Sequence, residues 1–436
     1  MTKNIKPELP GGFQDYLPKD QKIRSNMINN IRDSFENFGF QPLDTPAVER
    51  REVLTGGDEN FDKQIFGVGI EEEKNKLALR FDLTVPLARV VSAYPQDIKK
   101  PAKLYRFGRV WRGEKPQAGR YREFTQCDAD IIGSDSVLSD AESIALAYKI
   151  MKNLEVGEFV IRINNRKILN GLCETVGFQK QKAPEIFRSL DKLEKIGWDK
   201  VKKELKDKGL NKNQLSQIKE FIYIDYDQPI EKCEKAQSII GDSKIGREGI
   251  EETKKLVKFL EIMKIPQEFW KIDFSIVRGL DYYTGIVFET FLKENKELGS
   301  VLAGGRYDGL IKRFSNNKVP AVGFSVGLDR LYSGLKNKEE NKSGVMILNF
   351  EKSAEDKVLE TLFKLREENI PSEVYLGDDS TLKGQLSYAV SKNNKVVIII
   401  GKKEISNDNF AVKNLEIEKQ YTVSSDDLIE KVKELI

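Results

Sequence analysis

The chain of 436 residues is long enough for two or three domains, and with 39% hydrophobic and 32% charged residues it has the composition of an ordinary soluble protein. Its 72 basic and 69 acidic residues give a net charge of +3, so composition alone does not indicate a nucleic-acid partner. No window holds the roughly 18 apolar residues of a membrane span, and the start MTKNIKPELPGG lacks the apolar core of a signal peptide, so we expect no membrane partner and a cytoplasmic location.

Two residue types restrict the chemistry. The chain contains no histidine, which excludes imidazole as general base, nucleophile or metal ligand. Cys127, Cys173 and Cys233 are odd in number and lack CxxC spacing, so they indicate neither a disulfide framework nor a zinc site, and we predict buried thiols. Any reaction must therefore use arginines, carboxylates or a bound metal, and no metal-ligand set is predicted from the residues.

The N-terminal residues predict a loop, a helix and a strand. Residues 9–20 (LPGGFQDYLPKD) hold paired glycines and prolines, and residues 21–38 have the apolar spacing of a helix. Residues 40–49 (FQPLDTPAVE) follow as a strand that Pro46 would end. On pattern alone, an ordinary amphipathic helix and edge strand explain this region equally well.

Residues 77–86 (LALRFDLTVP) predict a strand that turns into a helix. Asp82 stands where a carboxylate caps the helix that begins near Leu83. A carboxylate also suits a cationic ligand, and the two roles are compatible.

Residues 101–133 predict two strands joined by a loop. In an extended chain alternate side chains share a face. Arg106 and Arg112 therefore lie on one face of the first strand, and Gln126, Asp128 and Asp130 lie on one face of the second. The connecting residues 113–120 are too many for a tight hairpin. A solvated hairpin with salt bridges is the simpler explanation of any one charge, but it fits poorly with the aromatic residues that alternate with these charges.

The middle of the chain predicts a helix over 136–153, a strand over 158–164 and a helix from Arg166. Lysine and glutamate then dominate residues 171–262 at helical spacing, which predicts a separate helical insertion. Residues 303–309 (AGGRYDG) include the paired glycines Gly304 and Gly305, which predict a place where only bare backbone fits and which a turn would explain. Residues 321–331 (AVGFSVGLDRL) predict a strand that leads into a helix.

The C-terminal residues predict a separate domain. Residues 336–343 (KNKEENKS) resemble a linker. Strands and helices alternate beyond it, which indicates a small mixed-sheet domain. From residue 344 to the end we count 13 basic and 17 acidic residues, 13 − 17 = −4, so this domain is no general polyanion binder.

Several of these segments resemble one family. The stretch YRFGRVWRGEKPQAGRYREFTQCDADIIG is similar to the second signature motif of class II aminoacyl-tRNA synthetases, as found in histidyl-tRNA synthetases. GGFQDYLP, the helix over 21–38 together with FQPLDTPAVE (motif 1), RGLDYYTG and AVGFSVGLDRL (motif 3) resemble further signatures of that family. LKGQLSYA and VVIIIGKKE resemble its anticodon-binding domain. The resemblance implies an α+β fold: a catalytic domain at 1–335 with an antiparallel sheet, flanking helices and the helical insertion, and an α/β anticodon-binding domain at 344–436.

The resemblance also implies a reaction and its participants. L-Histidine would be activated with ATP to histidyl-adenylate and transferred to the 3′ end of tRNA(His), with Mg²⁺ as cofactor and a homodimer formed through motif 1. The implied catalytic residues are Arg112, Arg278 and Arg330. A guanidinium suits these roles because it is a planar fork of donors that stays charged and binds phosphate and carboxylate.

The implied ligand contacts fall into three sets. The histidine-binding residues are Asp82, Thr84, Arg112, Gln126, Asp130, Arg278, Tyr282, Tyr283 and Tyr307. The ATP-binding residues are Arg112, Glu114, Tyr121, Phe124 and Arg330, and the tRNA contacts are Lys115, Gln117 and Arg120. Within the first set, Asp82 and Gln126 would take the ammonium group, and Asp130 with Tyr283 would take the imidazole.

Two other functions are open. The regulatory paralogue of ATP phosphoribosyltransferase keeps the catalytic fold without ligase activity, but it typically lacks the anticodon domain and several of these arginines. A non-catalytic RNA-binding or sensing module is the second, because a fold does not fix a function.

Overall fold

The structure, a computed structural model, describes residues 5–56, 65–69, 76–116, 120–178, 182–277, 282–315, 317–335 and 344–436. The chain divides into two compact units, Met1–Asn337 and Lys338–Ile436. Within the described ranges, no helix has the length and apolar content needed to cross a membrane.

The described residues of the first unit form two sheets. Its strands are β1 (Gln41–Pro42), β2 (Val48–Arg50), β3 (Gly67–Val68), β4 (Leu77–Leu79), β5 (Ala102–Trp111), β6 (Glu123–Ile132), β7 (Phe159–Asn165), β8 (Trp270–Ile272), β9 (Ile286–Leu292), β10 (Ser300–Arg306) and β11 (Ala321–Gly327). The large sheet has the order β1-β5-β6-β11-β10-β9-β7-β8, and the small sheet the order β2-β4-β3. In the large sheet β1 pairs with β5 and β7 with β8 in parallel, and the other pairs are antiparallel.

Helices flank these sheets. They are α1 (Pro18–Asn37), α2 (Arg51–Thr55), α3 (Thr84–Ala93), α4 (Val137–Asn153), α5 (Arg166–Val176), α6 (Ala183–Leu190), α7 (Leu193–Asp207), α8 (Lys212–Ile222), α9 (Pro229–Ile240), α10 (Lys244–Ile262) and α11 (Leu328–Leu335). Short 3-10 turns occur at Gln267–Phe269, Lys296–Leu298 and Ile311–Arg313. The strand-then-helix predictions for residues 77–86 and 321–331 are confirmed.

Helix α1 packs on the large sheet through an apolar stripe. Met27, Ile31 and Phe35 are buried at the spacing of one helix face. The ring of Phe35 lies 5.4 Å from that of Tyr105 and 5.8 Å from that of Phe107, measured between centroids, so the helix is held against β5.

Residues between α5 and α10 are largely helical, and their apolar side chains join those of the large sheet in one continuous core. The three cysteines are buried free thiols, as predicted, and burial raises their pKa values. Burial therefore keeps them in the unreactive thiol form. The bounds 171–262 for a separate insertion stay a prediction.

The strand predicted to begin at residue 40 is much shorter than expected. β1 covers two residues, and β2 begins only after Pro46. Between them the Arg80 guanidinium donates to the carbonyl oxygen of Thr45 at 2.5 Å, so a side chain and not a neighbouring strand satisfies this backbone.

The second unit has a mixed sheet, as predicted. Its strands are β12 (Val345–Ile347), β13 (Ser372–Val374), β14 (Val396–Ile399), β15 (Asn409–Asn414) and β16 (Lys419–Ser424), in the order β13-β12-β14-β15-β16. Its helices are α12 (Glu355–Glu367), α13 (Leu382–Ser391), α14 (Lys402–Ser406) and α15 (Leu428–Leu435), and a 3-10 turn covers Lys352–Ala354. β12 pairs in parallel with both neighbours, and β14, β15 and β16 form an antiparallel ladder.

The paired glycines of AGGRYDG lie where only bare backbone fits, as predicted, but they lie in a strand and not in a turn. Gly304 and Gly305 lie inside β10, in the middle of the large sheet. A Cβ built on Gly304 would meet the Cβ of Phe324 at 2.4 Å and the carbonyl oxygen of Gly323 at 2.5 Å. Crowding between strands, and not backbone conformation, requires glycine here.

We expect Gly304→Ala to lower the free energy of unfolding by about 1–3 kcal/mol or more, because the added methyl group has no space. The matched control is Gly309→Ala in the same segment, where no atom lies within 4 Å of an added Cβ. Chemical denaturation monitored by circular dichroism measures both variants. Equal loss of stability in the two would contradict the crowding argument.

Candidate active site

A cavity of about 530 Å³ in the first unit brings together most of the residues predicted from the sequence. The predicted residues that line it are Asp82, Thr84, Arg112, Glu114, Arg120, Tyr121, Phe124, Gln126, Asp130, Tyr282, Tyr283, Tyr307 and Arg330. Lys115 is exposed and is not part of the lining. Arg278 and Gln117 lie outside the described residues.

The antiparallel pairing of β5 with β6 places the polar side chains. Arg106 lies directly opposite Asp128, and Leu104 opposite Asp130. Gln126 and Asp130 reach the cavity from the same face of β6, as strand periodicity predicts. The amide of Gln126 donates to the hydroxyl of Ser325 on β11 at 2.6 Å, and its own oxygen is buried without a hydrogen-bond partner among the described residues.

Arg112 follows the last residue of β5 and points into the cavity. Its Nε donates to the carbonyl oxygen of Phe81 at 3.1 Å, and its guanidinium carbon lies 5.0 Å from the centre of the Phe124 ring. One edge of the guanidinium is therefore anchored while an aromatic face supports its plane. This arrangement favours binding of an anion by the remaining donors.

Asp82 caps helix α3, as predicted. One carboxylate oxygen accepts a hydrogen bond from the backbone N–H of Val85 at 3.1 Å. The other is buried and has no hydrogen-bond partner among the described residues. Burial raises the pKa of Asp82 to about 6, against the opposing effects of the Val85 N–H and of Arg112. Such a carboxylate gains from a cationic ligand that restores its charge.

Asp130 is held from two sides. Arg106 donates to one of its oxygens and the hydroxyl of Tyr307 to the other. The carboxylate lies over Gly323 of β11, where an added Cβ would approach its oxygen to 1.9 Å. Gly323 is therefore required for this position of the side chain.

Three tyrosines form an aromatic wall beside Asp130. The ring of Tyr282 lies 5.0 Å from that of Tyr283 and 5.7 Å from that of Tyr307, between centroids. Burial raises the pKa of each tyrosine above its usual value, so all three stay neutral hydrogen-bond donors.

Asp329 and Arg330 lie in the first turn of helix α11, at another part of the lining. Arg330 donates to the carbonyl oxygen of Ser300. Asp329 accepts hydrogen bonds from Tyr16, from the buried Arg24 and, at 2.6 Å, from the backbone N–H of Thr125. These bonds connect α1, β6 and α11 beside the cavity.

The N-terminal loop packs against the base of the β5–β6 connection. The backbone N–H of Arg122 donates to the carbonyl oxygen of Gly12 at 2.7 Å. Gly12 has a φ of +89°, and a Cβ there would meet Pro116 and Arg122 at 2.9 Å. The paired glycines of the N-terminal segment thus allow a close approach to this connection.

Some lining residues were missed by the sequence analysis. Asp191 between α6 and α7, Glu289 of β9, Ser325 of β11 and Asp329 all contribute to the cavity. Asp329 was adjacent to a predicted residue, but Asp191 and Glu289 carry no local motif, since they reach the cavity from distant parts of the chain. No cluster of three or more potential metal-binding Cys, Asp or Glu side chains occurs within the described ranges.

Comparisons with known proteins agree with this geometry. The histidyl-tRNA synthetase family model matches residues 12–331, and an anticodon-binding domain model matches residues 344–435. A histidine–tRNA ligase of Clostridium tetani is 40% identical over 99% of this chain and 100% of its own length. The chain belongs to the histidyl-tRNA synthetase family.

Solved structures give the same result for the fold. The crystal structure of histidyl-tRNA synthetase from a Nostoc species has a TM-score of 0.90 and 32% identity, covering 99% of this chain and 100% of that one. A Bacillus halodurans protein described as an ATP phosphoribosyltransferase regulatory subunit/histidyl-tRNA synthetase scores 0.76 at 26% identity, covering 92% of this chain and 99% of its own. The predicted α+β fold is confirmed.

Asp128, which is buried on β6 opposite Arg106, gives a test of the buried charges. Burial raises its pKa from 3.8 to about 7, although Arg106 opposes the shift. The folded state therefore binds this proton more tightly than the unfolded state, and the stability that it contributes is lost as the pH rises through about 7. Asp128→Asn cannot titrate, so we expect its melting temperature relative to wild type to rise between pH 5 and pH 8.

The control for this measurement is Asp135→Asn, at an exposed aspartate just after β6. Its difference from wild type should stay constant over the same pH range in thermal unfolding scans. A constant difference for Asp128→Asn as well would show that Asp128 is ionised in the folded state throughout this range.

Proposed function

We propose that this protein is a histidine–tRNA ligase. It activates L-histidine with ATP to histidyl-adenylate and transfers the histidyl group to the 3′ end of tRNA(His). The observation that carries the proposal is that Arg112 and Arg330 line the same cavity as Asp82, Gln126 and Asp130. The cavity thus has two guanidinium groups that can bind anions and carboxylates that can bind a cation. This combination suits a triphosphate and a cationic amino acid.

In the first step the carboxylate oxygen of histidine attacks the α-phosphorus of ATP, and the bond to pyrophosphate breaks. In the second step a hydroxyl of the terminal ribose attacks the histidyl carbonyl carbon, and AMP leaves. Neither step needs a protein nucleophile, which is consistent with a chain without histidine. Catalysis comes from positioning and from neutralising charge.

The amino acid lies between two groups of side chains in this proposal. Asp82, Gln126 and Thr84 take the ammonium group, since the free oxygens of Asp82 and Gln126 are both buried acceptors. Asp130 and Tyr283 take the imidazole ring, with Tyr282 and Tyr307 as the remaining wall.

The arginines hold the phosphates. Arg112 binds the α-phosphate and the amino-acid carboxylate together, supported by Phe124, and Arg330 binds the γ-phosphate. Glu114 and Tyr121 complete the nucleotide site. Arg278 is proposed as the third catalytic cation on sequence resemblance alone.

Mg²⁺ fits this site as a cation that arrives with the nucleotide. It is usually held by one or two carboxylates together with substrate phosphates, and not by an all-protein cage. Glu114 and Glu289 line the cavity with carboxylates of that type and would hold it. The ion supplies further neutralisation of phosphate charge.

The tRNA would contact several parts of the chain. Lys115, Gln117 and Arg120 belong to the connection after β5, where the acceptor end would enter. Residues 1–335 form the catalytic domain, with 171–262 as the insertion that holds the acceptor stem, and residues 344–436 bind the anticodon. A homodimer formed through motif 1, which is the helix over residues 21–38 together with residues 40–49, and a cytoplasmic location complete the proposal.

The regulatory paralogue is the less favoured function. The similar Bacillus halodurans structure carries that description in part, but its identity to this chain is lower than that of the Clostridium tetani ligase. The presence of an anticodon-binding domain model match over residues 344–435 also favours the ligase.

A histidine-dependent exchange of pyrophosphate into ATP tests the proposal. Wild type should catalyse exchange with histidine, and Arg112→Lys should lose about 10²-fold or more in rate, because an ammonium group cannot bridge phosphate and carboxylate as a fork does. Arg109→Lys is the matched control, since Arg109 lies on the same strand, is exposed and is not in the lining. Binding of tRNA without any exchange would instead indicate a non-catalytic module.

The pKa of Asp82 gives a second test. Because ammonium binding needs the ionised carboxylate and its pKa is about 6, the KM for the amino acid should rise as the pH falls below about 6. Triazolylalanine, whose ring does not titrate in this range, separates this effect from protonation of the substrate imidazole. Asp82→Asn should have a high KM with no such pH dependence. A wild-type KM that is flat between pH 5 and pH 7 would contradict the role of Asp82.

A further inference from the structure

Arg106 is a buried arginine that the reaction described above does not use. It lies on β5, is only 2% exposed, and is not part of the cavity lining. Its Nη2 donates to Asp130 and lies 3.8 Å from a carboxylate oxygen of Asp128. One cation thus serves two carboxylates on the neighbouring strand.

We propose that Arg106 is a positioning residue for recognition of the histidine ring: it fixes the orientation of the Asp130 carboxylate, which shares the guanidinium with Asp128. The inference rests on the proposed function, in which Asp130 receives the imidazole. Arg106 acts through Asp130 and does not touch the substrate.

The orientation of Asp130 depends on three contacts. Arg106 holds one oxygen, Tyr307 holds the other, and Gly323 leaves the space in which the carboxylate lies. Without Arg106, only Tyr307 remains among the side chains that hydrogen-bond to Asp130 in the described part of the chain. A buried carboxylate without its cation is costly and either moves or takes up a proton.

Arg106, Asp128 and Asp130 form a buried cluster of charges, and Asp128 affects how Arg106 interacts with Asp130. Two carboxylates share one guanidinium, and like charges this close cannot both ionise without cost. Burial lowers the pKa of Arg106, but the charges of Asp130 and Asp128 outweigh it and raise that pKa, so the arginine stays charged. Arg106 donates its hydrogen bond to Asp130 and lies 3.8 Å from Asp128, whose pKa is raised to about 7 by burial.

A purely structural role for Arg106 is the alternative. An arginine that only fills space between β5 and its neighbours would lower stability when replaced, and the charge of Asp128 would then have no effect on substrate binding. The two explanations differ in how substitutions at 106 and 128 combine.

The test compares Arg106→Met, Arg106→Lys and the double variant Arg106→Met/Asp128→Asn in histidine-dependent pyrophosphate exchange, with KM measured separately for histidine and ATP. Arg106→Met should raise the KM for histidine about tenfold or more and leave the KM for ATP nearly unchanged. Arg106→Lys should recover part of the loss, because it restores the charge. Arg109→Met, on the same strand and exposed, is the control.

The decisive measurement is the double variant. In the Arg106→Met background, Asp128→Asn should lower the KM for histidine relative to Arg106→Met alone, since it removes the repulsion between two buried carboxylates that have lost their shared cation. A double variant that binds histidine as poorly as Arg106→Met, or a KM for ATP that rises equally, would overturn the inference.

Two further controls separate the causes of failure. If Arg106→Met does not fold, the test compares Arg106→Lys with the double variant. A histidine KM closer to wild type in Arg106→Lys supports the role of the charge, and equal KM values in the two variants contradict it. If wild type itself shows no histidine-dependent exchange, the proposed function fails. Normal wild-type exchange with an unchanged histidine KM in Arg106→Met refutes only the role of Arg106.

Discussion

The antiparallel register of β5 and β6 is the constraint on which the rest of the site depends. It places Arg106 opposite Asp128 and sends Gln126 and Asp130 to the same side of the sheet. A shift of one residue would turn each of these side chains to the other face. The apolar contacts of α1 with β5 hold this register, so core packing and ligand recognition are properties of the same pair of strands.

The cavity lowers the stability of the free protein, because its charged groups are removed from water. Asp329 is compensated by several donors, whereas Asp82 keeps one buried oxygen without a hydrogen-bond partner in the described part of the chain. The raised pKa of Asp82 expresses this cost. A substrate cation offsets it, so the site exchanges some stability of the free protein for affinity, as preorganised sites commonly do.

Local periodicity predicted the alternation of helices and strands and the shared face of Asp130 and Gln126, because both follow from backbone geometry that tertiary context rarely changes. The family resemblance supplied most of the cavity residues. The need for bare backbone at Gly304 was predicted, but a turn was the wrong explanation, since a sequence does not show which side chains crowd a strand. Asp191 and Glu289 were missed for a related reason: long-range packing, and not a motif, brings them to the cavity.

The polar side chains that line the cavity carry carboxylates, guanidinium groups, phenols, hydroxyls and an amide. The whole chain lacks imidazole. In a spectrum of the untagged protein with histidine bound, every imidazole resonance therefore belongs to the ligand. The tautomer and protonation state of the bound ring can therefore be followed by nuclear magnetic resonance of nitrogen-labelled histidine, with no imidazole signal from the protein.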